Sequence, residues 1–235
     1  GNKRRKKKKV FSKKCLDKQK NNQNKLFYLK KTQSISMQID FLNNQITFEK
    51  ELNELDNLTI EFTSVLNKNE IKYSLVSGYV AILFGRNRAS EDIDIIIEKI
   101  DEQKFKNLWN DLLKGFECIN AFDAEMAYND YLLEKISLRF SKKNQFIPNI
   151  EVKFPKAELD YWTLEERKKL VLNNFTLFIS PLELQIPYKL VLGSEKDLED
   201  ARYLYKLFKD KIDLKLLNKF IEQMNVKKEF EAYLQ

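Results

Sequence analysis

The sequence contains no histidine and only two cysteines among its 235 residues. Without histidine, the chain cannot build a Ser-His-Asp or Cys-His triad, a histidine general base or a His-ligated zinc site. Cys15 and Cys118 are too few for a disulfide framework and too isolated for a zinc cluster. Any chemistry in this chain must therefore be performed by carboxylates, Lys, Arg, Tyr and bound metal ions.

Long apolar runs are absent as well. No stretch reaches the length needed to cross a bilayer, and no apolar segment follows the basic N-terminus as a signal peptide would require. The sequence therefore predicts a soluble, cytoplasmic protein that does not contact membranes. Its composition, 43% hydrophobic and 33% charged, indicates a globular protein with a highly charged surface. This length is sufficient for one domain with a sizeable core, alone or with a helical appendage.

Basic side chains are concentrated near the N-terminus. Residues 1–31 hold fourteen Lys or Arg and one acid, Asp17, which gives a net charge of +13. The remaining residues hold 28 basic and 34 acidic side chains, a net charge of −6. Residues 1–34 are predicted to form a disordered basic tail because they offer little to bury. This tail is either an arm that binds RNA or DNA with strong salt dependence, or a solvated tail, or sequence upstream of a start at Met37.

The remaining patterns predict an α+β protein. Alternation at residues 35–41 and 46–48 predicts a hairpin across Asn43 and Asn44. Thr47 is the candidate cap of an amphipathic helix that runs to about Asn67. Further strands are predicted at residues 71–76, 95–97, 116–119, 136–140, 147–154 and 175–179. Helices are predicted at residues 78–84, 101–114 and 156–172 and from Pro181 onward, where Ser180 is the expected cap.

Residues 76–98 concentrate the polar signals of the sequence, VSGYVAILFGRNRASEDIDIIIE. Asp92 and Asp94 are separated by one isoleucine, so they share one face of a strand, and the apolar run after them predicts that this strand is buried. Two anions held about 7 Å apart are costly to desolvate unless a cation lies between them. The pair therefore indicates a divalent metal site, and the alternative is a strand that begins in solvent with two exposed acids.

Candidate phosphate-binding residues precede this pair in the sequence. Gly78 begins a short helix, where backbone N–H groups favour anions and a missing side chain permits close approach. Arg86 and Arg88 either bind phosphate oxygens or pair with Glu91 or Glu98 on the surface. Farther along the chain, Lys189 is a conspicuous single cation within a dense apolar helix, from which its head group can extend to solvent.

These residues carry a family resemblance. Ser77-Gly78 followed by Asp92-Ile93-Asp94 resembles the signature of the DNA polymerase beta-type nucleotidyltransferase superfamily. Residues 85–92 make the chain similar to its minimal and abortive-infection toxin-like branch. The resemblance covers about residues 70–205. It implies a nucleotidyltransferase core at residues 35–180, built as a mixed β-sheet with flanking helices, and a C-terminal helical region at residues 181–235.

The resemblance also implies roles for individual residues. The implied ligands of Mg²⁺, or of Mn²⁺ in its place, are Asp92, Asp94 and Glu151, and the strand of Glu151 is expected beside that of Asp92. The implied contacts of the nucleotide are Ser77, Gly78, Arg86, Arg88 and Lys189. Lys189, Asp197 and Asp200 resemble a second motif of the branch, which implies that the two acids face the acceptor or the base.

The residues themselves leave other interpretations open. In one of them, Glu151 lies on the polar face of an edge strand and pairs with Lys153 or with a lysine across the sheet. Asp197 and Asp200 are then acids in the first turns of a helix, where the helix dipole favours them.

Three functions follow as hypotheses from the resemblance. The first is an enzyme that transfers an NMP from an NTP to a hydroxyl of a tRNA-like RNA, a protein or a small molecule, with release of pyrophosphate. The second is the same activity in a toxin whose partner is an antitoxin protein. The alternative is a catalytically silent module of the same fold that binds RNA or a partner protein. No motif specifies the NTP, the acceptor or the oligomeric state.

Overall fold

The structure, a computed structural model, describes residues 38–42 and 45–234. The predictions for residues 1–37, which include the basic tail, and for the turn at Asn43 and Asn44 lie outside the described residues. From Ile39 onward the chain forms one compact unit. The C-terminal helices therefore belong to the same unit as the sheet.

A single mixed β-sheet forms the centre of this unit. Within the described residues its strands are β1 Asp40–Leu42, β2 Gln45–Phe48, β3 Tyr73–Val76, β4 Asp92–Ile97, β5 Phe116–Cys118, β6 Leu138–Lys142, β7 Asn149–Lys153, β8 Lys168–Leu172 and β9 Phe175–Ile179. These nine strands are arranged in the order β1-β2-β8-β9-β3-β4-β7-β6-β5. Strands β4 and β7 are parallel neighbours, and β3 and β6 lie antiparallel on either side of them.

Helices flank the sheet and follow it at the C-terminus. They are α1 Glu54–Lys68, α2 Gly78–Leu83, α3 Glu102–Leu112, α4 Ala124–Met126, α5 Glu158–Glu165, α6 Leu182–Leu192, α7 Glu195–Phe208, α8 Leu214–Gln223 and α9 Lys227–Tyr233. A π-helical turn, Ala127–Leu132, continues α4. The predicted α+β class, with a mixed sheet, flanking helices and a C-terminal helical region, is confirmed.

The two faces of the sheet differ in character. Ile93 and Ile95 of β4 are fully buried on one face. On that face Phe140 of β6 contacts Phe62 of α1 and Trp109 of α3, with ring centroids 5.6 and 5.7 Å apart. Asp92 and Asp94 lie on the opposite face because side chains alternate along a strand. On that polar face α5 lies against β3 and β4. Helix α5 therefore forms one wall of the site around Asp92 and Asp94.

Two predicted helix starts are wrong. Thr47 lies within β2, and α1 begins only after Asn53, whose side chain accepts a hydrogen bond from the Asp56 N–H in a capping box. An asparagine followed three residues later by an acid satisfies two free N–H groups, which a cap at Thr47 would not do. Ser180 is not the cap of α6, because Pro181 occupies the capping position and α6 starts at Leu182.

The predicted helix over residues 156–172 is also wrong in its second half. Helix α5 ends at Glu165, and Lys168–Leu172 forms β8, which pairs with β2 and β9. Asn173 has a φ of 53°, a conformation that asparagine tolerates, and with Asn174 it closes a hairpin between β8 and β9. The Asn-Asn pair between two segments with apolar residues was the hairpin signal.

Within the described part of the chain, no helix combines the length and apolar character that a membrane-spanning segment needs.

Candidate functional site

The acidic residues of the site lie on two central, neighbouring strands. Asp94 of β4 stands directly opposite Glu151 of β7, and Asp92 stands opposite Asn149. The prediction that the strand of Glu151 lies beside that of Asp92 is confirmed. Since these strands run parallel and in register, all three carboxylates start from one end of one sheet face.

The environment of Asp94 disfavours its negative charge. Burial raises the pKa of the Asp94 carboxyl, and the charges of Asp92 and Glu151 raise it further. A hydrogen bond from the Ser77 side chain and the positive charge of Lys153 act in the opposite direction. Asp92 itself is exposed. This end of the sheet therefore carries more negative charge than its described neighbours compensate, which is the condition under which a cation binds.

Glu151 has a partner that the sequence did not indicate. Its carboxylate is 2.6 Å from the guanidinium of Arg139, which stands opposite it on β6. The side chain of Arg139 is 54% exposed, whereas that of Glu151 is 16% exposed. The expected alternative named Lys153 or a lysine across the sheet, so the kind of interaction was foreseen but its partner was not.

The donor atoms fit Mg²⁺ or Mn²⁺ in their chemistry, because both are hard ions that prefer carboxylate oxygens. Within the described ranges no three acidic, histidine or cysteine side chains are grouped closely enough to hold a metal ion. Asp92 and Asp94 share a face, but Glu151 is turned to Arg139. Joining the third carboxylate to the pair requires release of that exposed ion pair, which is a small cost for an exposed contact.

The predicted phosphate turn joins β3 to α2. Ser77 has a φ of 65° and a ψ of −143°, and it makes no capping hydrogen bond with its side chain. Its carbonyl accepts a hydrogen bond of 3.1 Å from the side-chain amide of Gln185 on α6. The guanidinium of Arg88 lies against Gly78, where a Cβ atom would come within 2.7 Å of Nη2. Gly78 is therefore needed for a close approach of an arginine.

The three predicted phosphate-binding cations meet on one carboxylate, that of Asp200 on α7. Arg88 and Lys189 lie 2.6 and 2.7 Å from Oδ2, and Arg86 contacts Oδ1. Asp200 has no exposed surface, and only 1% of the Lys189 side chain is exposed. The alternatives in which the arginines pair with Glu91 or Glu98 and Lys189 extends to solvent do not describe these contacts.

The two predicted aspartates of α7 are in different environments. Asp197 is 20% exposed in its side chain and lies 3.4 Å from Lys189. It also accepts a hydrogen bond of 2.5 Å from the hydroxyl of Ser194, the capping residue of α7. Asp200 faces the three cations and leaves no carboxylate surface for an acceptor or a base.

A cleft of about 210 Å³ opens between the polar sheet face, α5 and α6. Ser77 and Asp94 lie at one side, and leucine side chains from both helices line the walls. Tyr188 lines it with 46% of its surface exposed. The hydroxyl of Ser180 is buried at its lining without a hydrogen-bond partner. Such a cleft can hold a flat, partly polar group.

Four side chains of the site were not expected from the sequence, namely those of Arg139, Ser180, Gln185 and Tyr188. Tyr188 follows Leu184 by one helical turn and directly precedes Lys189. The side of α6 on which Tyr188 lies could therefore be inferred from the position of Lys189. Arg139, Gln185 and Ser180 carried no such signal, because their positions depend on strand pairing and on the path of α6.

No protein family model matches this chain, and no curated protein matches its sequence. Among solved structures, the chain is similar to an antigenic nucleotidyltransferase-like protein from Paracoccidioides brasiliensis. The two share 17% sequence identity, with 77% of this chain and 92% of that chain covered and a TM-score of 0.48. Similarity at this level assigns no activity to the present chain.

Proposed function

We propose that the chain is a metal-dependent nucleotidyltransferase that moves an NMP from an NTP to a hydroxyl group and releases pyrophosphate. The observation that carries this proposal is the pairing of Asp94 with Glu151 on neighbouring parallel strands, next to Asp92 and to the turn at Gly78. Carboxylates on one side and three cations on the other suit a ligand that is itself a metal ion bound to a triphosphate.

In this proposal Asp92, Asp94 and Glu151 hold Mg²⁺, for which Mn²⁺ substitutes. Bound there, the metal supplies Lewis-acid chemistry, which lowers the pKa of the acceptor hydroxyl and offsets phosphate charge. Asp94 is the central ligand because burial and its two acidic neighbours disfavour its free carboxylate. Glu151 joins by exchanging Arg139 for the ion.

The remaining residues orient the nucleotide. The turn at Ser77 and Gly78 faces the phosphates, and Arg86, Arg88 and Lys189 offset charge that develops on the leaving pyrophosphate. The base lies in the cleft between α5 and α6, against the partly exposed ring of Tyr188 and above the unpartnered hydroxyl of Ser180. Asp197, which retains some exposure, faces the acceptor.

The acceptor is an RNA, such as a tRNA, a protein or a small molecule, and the basic residues 1–31 favour RNA. A toxin controlled by an antitoxin protein would use the same chemistry on a cellular target. A catalytically silent module that binds RNA or a partner protein is the second candidate. Two contacts favour this candidate. Arg139 forms an ion pair with Glu151, where a metal ion would bind, and Arg88 lies against Gly78, where the phosphates would bind.

The test is to incubate the full chain with labelled NTPs, Mg²⁺ or Mn²⁺, and total RNA or cell extract. We expect label to be transferred, and Asp94→Asn to lower the rate by on the order of 10²–10³-fold. Asp210→Asn, which changes an exposed acid after α7, is the matched control and should transfer label as the wild type does.

Two results would contradict the proposal. One is that the wild type transfers no label under conditions where nucleotide binds. The other is that Asp94→Asn transfers label as fast as the wild type. If no transfer occurs and deletion of residues 1–31 abolishes RNA binding, the silent module is favoured instead.

A further inference from the structure

The five side chains Asp200, Arg86, Arg88, Lys189 and Asp197 form a connected ion-pair cluster, the Asp200 cluster. It joins the segment after α2 to α6 and α7. A carboxylate has about four lone-pair positions on its two oxygens. Asp200 can therefore accept from all three cations at once. Its complete burial means that it contacts these cations and not the solvent.

The charges of this cluster do not balance. Its three cations face two carboxylates, and the second, Asp197, lies at a longer distance of 3.4 Å from Lys189. The side chains of Arg86 and Arg88 are 17% and 15% exposed, so they are largely desolvated. A desolvated cluster with surplus positive charge has the capacity to bind an additional anion.

The Arg88 end of the cluster lies at the turn at Gly78. The Arg88 guanidinium is in contact with the Gly78 backbone, at a distance that no Cβ would allow. Helix α7 is fixed there at a second point, where the Tyr203 hydroxyl donates a hydrogen bond of 2.9 Å to the Phe84 carbonyl. The cations are thus held beside the turn by α7 and do not extend freely from the surface.

We propose that Asp200 is a positioning residue that holds Arg86, Arg88 and Lys189 beside the Gly78 turn in the manner of a phosphate group, and that an incoming polyphosphate competes with it for these cations. Asp200 then acts through the cations and touches neither acceptor nor base. The choice of a polyphosphate as the ligand rests on the proposed function. The competition between Asp200 and an anion is measured by binding alone and needs no catalysis.

The experiment measures binding of inorganic pyrophosphate to the full chain by calorimetry, with a chelator present so that metal sites do not contribute. Asp200→Asn keeps the shape of the side chain and removes its charge. We expect it to bind pyrophosphate about tenfold more tightly than the wild type does, because the competing carboxylate is gone. Its matched control is Glu199→Gln on the same helix, which removes one negative charge from an exposed pair with Arg202 and should leave the affinity unchanged.

A second pair of variants keeps the test decisive if Asp200→Asn does not fold. Arg88→Gln should bind pyrophosphate about tenfold more weakly than the wild type does. Arg202→Gln removes one positive charge from the exposed pair on α7 and should leave the affinity unchanged. The proposal is overturned if Asp200→Asn binds as the wild type does, or if Arg88→Gln and Arg202→Gln bind equally.

The two proposals fail separately. If the wild type transfers no nucleotide but the four variants bind pyrophosphate as expected, only the enzymatic function is wrong. If transfer occurs and Asp200→Asn leaves pyrophosphate binding unchanged, Asp200 is not the competitor and the positioning role is wrong.

Discussion

Ser77 occupies a backbone conformation that residues with a side chain seldom adopt. Its φ of 65° places it in the left-handed region, and its side chain makes no capping hydrogen bond to compensate. Its hydroxyl interacts instead with Asp94, where it partly offsets the rise that burial causes in the carboxyl pKa. The turn therefore combines an unfavourable backbone with a contact to the central acid, as is common where binding determines the conformation.

Two substitutions separate these effects. Ser77→Gly and Ser77→Ala both remove the hydroxyl, but only glycine adopts a positive φ without strain. We expect Ser77→Gly to be more stable than Ser77→Ala by about 1 kcal/mol in the free energy of unfolding, measured by urea denaturation. Equal stabilities would show that the backbone of the turn relaxes when the hydroxyl is lost.

At the level of strands, Arg139 of β6 forms an ion pair with Glu151 of β7. Arg139→Gln removes the competing guanidinium, so the carboxylate becomes free for a cation. We expect Mn²⁺ to bind about two- to fivefold more tightly, because an ion pair exposed on one side contributes little. Titration followed by electron paramagnetic resonance measures the free Mn²⁺ directly.

The control for this prediction is Lys142→Gln on the same strand, whose side chain contacts Glu61 of α1 and not the acids of the site. It changes the net charge equally. Weaker Mn²⁺ binding in Arg139→Gln than in Lys142→Gln would show that Arg139 supports the site and does not compete with the ion.

Local patterns predicted the elements that carry the acids. The single isoleucine between Asp92 and Asp94 and the apolar run after them were sufficient to place both on one face of β4, and Gly78 at the start of α2 was equally local. The strand β8 was missed because the short apolar run Leu170, Val171 and Leu172 is compatible with a continuation of the helix before it. Its pairing with β2 is fixed by residues more than one hundred positions away.

The partners of Asp200 could not be read from its own helix. An acid in the first half of a helix is typical of a dipole contact with solvent, and only its spacing of four and eight residues from the buried Leu204 and Phe208 indicates an inward position. Its environment is created by Arg86 and Arg88, which arrive from a segment more than one hundred residues earlier. Arg139 was missed for the same reason, since its contact depends on the register of β6 against β7.

For the whole molecule, the separation of charge along the sequence leads to a prediction about RNA. Residues 1–31 carry a net charge of +13, whereas the remainder carries −6. Affinity of the full chain for a tRNA-sized RNA should fall by on the order of 10³-fold or more between about 50 and 200 mM salt. Deletion of residues 1–31 should weaken binding at low salt and flatten this dependence, measured by fluorescence anisotropy.

A substitution at Asp94 gives the control for the RNA measurement. The full-length Asp94→Asn variant keeps the basic residues and should bind RNA with the salt dependence of the wild type. If the deletion leaves the salt dependence unchanged, the RNA-binding surface lies within residues 32–235.

The position of Asp200 late in the sequence has a consequence for biosynthesis. The two arginines that it holds precede it by 114 and 112 residues, and a ribosome adds about 5–20 residues per second. During several seconds of translation the emerging polypeptide therefore contains Arg86 and Arg88 without the carboxylate that pairs with them. The Asp200 cluster can form only after α7 has left the ribosome, so these ion pairs are made late in synthesis.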